Sequence, residues 1–113
     1  MSDDEKLRFA EAVLARTSLH LHLDPRRPGV VVPEPLRALP SVTLQVGRTG
    51  MHIPIPDLEV DGEGVRATLS FSRQPYACVI PWRAVYGLVA DTGESLMFDA
   101  EAPPDLPPQH HEQ

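Results

Sequence analysis

Seven residues in the middle of the chain leave little freedom in how it folds. Val65, Ala67, Leu69 and Phe71 alternate with Arg66, Thr68 and Ser70. That is the period-two pattern of a strand with one face in a core and the other in water. Ser72 to Pro75 follows as a short polar turn, and Tyr76 to Ile80 returns as the antiparallel partner. Pro75 has no N–H to donate and cannot sit inside a central ladder. The returning strand is apolar on both faces, with Tyr76, Cys78 and Ile80 on one and Ala77 and Val79 on the other. Such a strand is covered twice by its own chain or keeps one face for a partner. Pro81 suits the first turn of a helix, and Trp82, Val85, Tyr86 and Val89 stand at helical spacing. The expected order is strand, turn, strand, short helix.

Upstream, a helix is expected over residues 2–17, its first turn made favourable by Asp3 and Asp4. It carries two apolar stripes, Leu7, Ala10 and Leu14 on one side and Phe9, Ala12 and Val13 on the other. A helix lying on a sheet needs one stripe, so the pair forms either a broad core face or a core face and a contact. On the second view Leu7, Ala10 and Leu14 form the interface of a homodimer. Leu19 to Leu23 alternates, with leucines inward and His20 and His22 outward. Gly29 to Pro33 reads as a short strand, Pro35 to Pro40 as an irregular connection and Ser41 to Val46 as a strand. Met51 to Ile55, interrupted by Pro54, reads as an edge strand, and Leu96 to Phe98 as a last short one. Thirteen prolines in 113 residues favour such short strands over long helices. The fold class is therefore mostly β with an N-terminal helix, as a small barrel or a twisted antiparallel sheet. One domain spans 1–98, and 99–113, rich in proline with Leu106 as its one large aliphatic residue, is expected to be a disordered tail.

Several chemistries drop out. A net charge of −6 gives no basic face for displacing counterions, which argues against DNA and against an RNA-binding module. No apolar run approaches a membrane span, and the acidic N-terminus is unlike a signal peptide, so a cytoplasmic location is expected. Cys78 has no partner for a disulfide and reads as a small core hydrophobe. His20-x-His22 lacks a third ligand of known proximity, so no metal site is expected. Asp57-x-Glu59-x-Asp61-Gly62 begins like a calcium loop, but its twelfth position is Thr68 rather than a bidentate glutamate. No catalytic signature appears and no cofactor is implied, so the chain reads as a binding module and not an enzyme.

Phe71-x-x-x-Pro75, Val79-Ile80-Pro81-Trp82-x-Ala84-Val85 and Met97-Phe98 occur in that order, after His20-x-x-x-Asp24 and Pro28-Gly29-Val30-x-Val32-Pro33. Taken as a collinear set from about Leu7 to Phe98, they resemble the stringent starvation protein B family. The resemblance implies an Sm-like β fold, also described as SH3-like, dimerised through its N-terminal helix. It further implies a proteolytic adaptor whose groove binds degradation-tag peptides, such as the tmRNA-encoded tag, for delivery to the ClpXP protease. Groove positions carried over by the resemblance are Pro54 and Ser70, with Thr68, Ala77 and Val79 as neighbours on the sheet. Degradation-tagged polypeptides and the ClpX unfoldase are the implied partners. The other reading is an Sm-like structural or protein-interaction dimer without delivery activity. Two departures stand out. Phe71-Ser72-Arg73 replaces the frequent Phe-Gly-Gly, and Ser70 stands where some members have arginine, leaving Arg66 or Arg73 to meet acidic tag residues. Residues 99–113 carry no unfoldase-docking motif.

Overall fold

Leucines at every second position make β1 (Leu19–Leu23) the strand around which the larger sheet is built. All three are fully buried, while His20 and His22 face outward. In the computed structural model, which describes residues 2–48, 55–98 and 102–103, β1 lies between β2 (Val42–Val46) and β6 (Val85–Ala90), and β7 (Ser95–Met97) closes the far side. The second sheet has the order β3 (Glu59–Asp61), β4 (Gly64–Phe71) and β5 (Gln74–Pro81). All its pairings are antiparallel. The fold is thus mostly β with one leading helix, α1 (Ser2–Leu14). Among the described residues the strands form two open sheets, neither a closed barrel nor one continuous sheet.

The central hairpin forms as its alternation requires. Val65, Ala67 and Leu69 pair with Ile80, Cys78 and Tyr76 on the inner face, and Thr68 and Ser70 pair with Ala77 and Pro75 on the outer. The turn is tighter than expected. Only Ser72 and Arg73 lie between the paired Phe71 and Gln74, both with positive φ, at 52° and 69°. That is a two-residue hairpin of the kind usually occupied by Asn-Gly. Pro75 is tolerated because β5 is an edge strand.

Four expectations need correction. The helix ends at Leu14 rather than Thr17, because the N–H groups of Arg16 and Thr17 both bond back to the Val13 carbonyl in a closing turn. No helix runs from Trp82 to Val89; a 3-10 turn (Trp82–Ala84) leads into β6. Because five of the six β6 residues are buried, the strand is apolar on both sides, which hides the period-two signal that would have separated it from a helix. Gly29 to Pro33 shrinks to a single bridge, in which Val31 and Val79 exchange both backbone hydrogen bonds. The connection after it contains one helical turn, α2 (Glu34–Arg37).

The stripe Leu7, Ala10 and Leu14 does not form a free contact surface. Ala10 and Leu14 are 0% and 1% exposed inside the chain's own core, with Leu7 packed half-buried against it. The helix is anchored there by Lys6, fully buried, whose Nζ donates to the Trp82 carbonyl at 2.7 Å and lies 4.9 Å from the centre of the Phe98 ring. Trp82, also fully buried, donates its indole N–H to the Asp61 carbonyl at 2.7 Å. These contacts tie α1 to the β3–β4 turn through one residue, Trp82, which meets Lys6 with its carbonyl and Asp61 with its indole. Of the tail 99–113, only residues 102–103 are described, and Pro103 is buried. Among the described residues no helix is long and apolar enough to cross a membrane.

Candidate functional site

Where β3 stops, β4 has no further strand on that side among the described residues, while β5 continues on the other. The β3–β4 register covers Glu59 to Asp61 against Arg66 to Gly64 and goes no further. Beyond it, the side chain of Asp57 takes the partner's place. The Thr68 N–H donates to both carboxylate oxygens at 3.1 Å, and the Thr68 hydroxyl donates to one of them at 2.6 Å. These bonds hold the Asp57 carboxyl below its ordinary 3.8. Backbone groups along an antiparallel strand alternate in direction, so those of Ser70 point the same way as the Thr68 N–H. No strand among the described residues pairs with this edge at Ser70.

A second open edge belongs to β2, which among the described residues pairs only with β1. Polar contacts fix it to its neighbours. Gln45 donates to Ser18 Oγ at 3.0 Å, and Ser41 Oγ lies 2.6 Å from the Tyr86 hydroxyl. His22 Nδ1 stands 2.9 Å from Thr43 Oγ1. Burial, reinforced by the charge repulsion of His20, holds the His22 imidazole below its usual 6.5, so the neutral form is favoured.

The two edges bound a groove of about 750 Å3. Residues 43–45 of β2 form one wall, and Thr68 to Phe71 with Pro75 form the other. Ile55, Pro56 and Asp57 cross its end. Its apolar side chains are Leu44, Ile55, Leu69 and Phe71 with the two prolines, and its polar groups are Thr43, Gln45, Thr68 and Ser70. Asp57 is the only charged side chain lining it among the described residues. Ile55 and Pro56 also line an adjoining cavity of about 260 Å3 that reaches Leu58 and the exposed Arg48. A volume of this order, largely apolar and with a few fixed polar groups, matches a ligand site.

The expected groove residues divide. Thr68 and Ser70 line the groove together. Ala77 is exposed on the same sheet face, opposite Thr68 in register, but outside the groove. Val79 is half-buried, bridged to Val31, and lines a separate pocket of about 210 Å3 beside Arg66 and Pro81. Pro54 lies outside the described residues. Arg66 is already engaged, donating to Asp61 at 2.6 Å and to Glu59 at 3.1 Å. Leu44 and Asp57 were not anticipated: β2 carries no mark in the sequence of being an edge, and Asp57 was weighed only as the start of a calcium-loop-like run.

Cys78 is not an activated thiol. Cys78 is buried against the sheet, and desolvation pushes its thiol up to about 11. No group of three or more His, Cys, Asp or Glu that could hold a metal ion is found among the described residues. Comparison of the chain with protein-family models and with curated proteins gave no match in either.

Proposed function

We propose that this chain is a peptide-binding adaptor of the stringent starvation protein B type. It holds an extended degradation-tag segment between β2 and β4 and passes tagged polypeptides to ClpXP in the cytoplasm. One observation carries this reading: an apolar groove flanked by two strand edges that no described strand covers, containing Thr68 and Ser70. An extended peptide laid there satisfies open backbone groups by strand addition, while its alternate side chains enter the apolar walls. The resemblance of the sequence supplies the rest, namely the tag, the protease and the delivery role. Moderate apolar contacts of about 1 kcal/mol each give an affinity in the micromolar range, suited to cargo that must be handed on. As in the resembling family the adaptor acts as a homodimer, through a contact other than the buried Ala10 and Leu14.

Fluorescence polarisation with a labelled degradation-tag peptide tests binding, and ClpXP degradation of a tagged substrate tests delivery. Ser70 is exposed at the groove wall, so Ser70→Trp fills the groove without entering the core. The variant is expected to keep its melting midpoint, lose peptide binding and lose any stimulation of degradation. Saturable binding left unchanged by Ser70→Trp overturns this placement of the peptide. Binding with no effect on degradation leaves the second reading, an interaction module without delivery.

A further inference from the structure

The groove is apolar along its walls but not neutral. Its one charged lining group among the described residues is the Asp57 carboxylate, fixed in place by the Thr68 N–H and hydroxyl. Asp57 forms no ion pair among the described residues, unlike Asp24, Asp61 and Glu94. The same bonds occupy the Thr68 N–H, so a strand added to β4 cannot pair there and must register on Ser70. A side chain from that added strand then projects beside a carboxylate with apolar walls on either side of it. We infer that Asp57 sets the charge preference of the groove, which accepts an extended apolar segment bearing Lys or Arg at the position beside Asp57 and rejects one bearing Asp or Glu there.

The preference rests on the peptide-groove reading above and narrows the ligand class within it. Asp57 is exposed, so a cation beside it gains, and a second carboxylate there loses, only the modest, salt-screened energy of a surface pair. Arg66, a candidate for offsetting an acidic ligand, is held by Glu59 and Asp61 and does not line the groove. Arg48 lies in the adjoining cavity beyond Ile55 and Pro56. An acidic residue can be met at that end of a longer segment but not beside Asp57.

The test uses short labelled peptides of Ala, Val and Thr with blocked ends, in which a single Lys, Gln or Glu is moved along the sequence. Polarisation titrations on the full chain at low salt should find a position where Lys binds several-fold more tightly than Glu. Gln should fall between them. The gap should narrow as salt is raised and disappear in Asp57→Asn, whose side-chain oxygen still accepts from the Thr68 N–H. Equal affinities for Lys and Glu peptides at every position, with saturable binding intact, overturn the charge preference alone. Absence of saturable binding by every peptide, the degradation tag included, overturns the groove reading and this inference with it. The wild-type series is decisive by itself, so it stands whether or not Asp57→Asn folds.

Discussion

Trp82 joins three parts of the molecule, and Trp82→Phe measures how much that junction holds. The side chain is 0% exposed, its indole N–H donates to the Asp61 carbonyl at 2.7 Å, and its own carbonyl accepts from the buried Lys6 at 2.7 Å. Phenylalanine keeps the ring in the core but removes the donor, a net loss of about 1 kcal/mol for an intramolecular hydrogen bond. The smaller ring leaves space that the surrounding side chains fill only partly, adding about 1–3 kcal/mol in transfer and cavity terms. The expected loss is about 2–4 kcal/mol, against a total of about 5–15 kcal/mol for a domain of ordinary stability. Urea unfolding followed by far-ultraviolet circular dichroism reads this directly, since the variant has no tryptophan left to report. The midpoint should fall with little change in slope, because the surface exposed on unfolding barely changes. Leu39→Ala serves as the control, because Leu39 is 42% exposed, and it should shift the midpoint by less than about 0.5 kcal/mol. A loss below about 1 kcal/mol for Trp82→Phe would refute the claim that the buried indole anchors the β3–β4 turn.

Three further outcomes follow from individual groups. The Cys78 thiol, buried and raised to about 11, should react with a disulfide reagent near neutral pH only as fast as the domain unfolds; rapid labelling of the native protein contradicts its placement. Arg73 sits at φ 69° in the two-residue turn, where glycine has no left-handed penalty, so Arg73→Gly should stabilise by about 0.5–1 kcal/mol, read as a higher melting midpoint. Because the folded-state pKa of His22 lies below its ordinary 6.5, the unfolded chain binds the proton first as pH falls. Stability present above pH 6.5 should therefore decline as pH drops below that value, and His22→Gln should flatten that part of the melting profile.

What could be read from the residues alone is uneven for identifiable reasons. The hairpin from Val65 to Ile80 and strand β1 were legible because each has one wet face on which polar residues alternate with apolar ones. Strand β6 was not, because Met97 packs over Gly87 while the opposite face lies in the core, and a strand covered twice loses its period. Ala10 and Leu14 looked like surplus apolar surface, yet both stripes of α1 contribute to one core, Val13 from the second among them. Thr68 and Ser70 were legible as outward residues of the hairpin. The opposite wall of the groove was not, since Leu44 becomes a wall residue only through the order in which β2 takes its place in the sheet. Asp57 was visible as a charge but not as the group that ends the β4 ladder, a role that depends on where β3 stops.

The claim that an extended peptide lies between β2 and β4 is tested most directly by backbone amide chemical shifts of the full chain during titration with a saturating tag peptide. The largest changes are expected at residues 43–45, at Asp57 and at Thr68 to Phe71. Slowed hydrogen exchange at Ser70 is expected to mark the new strand pair. Changes centred instead on the exposed Tyr76 and Ala77 edge of β5, with residues 43–45 and Ser70 unmoved, would contradict it.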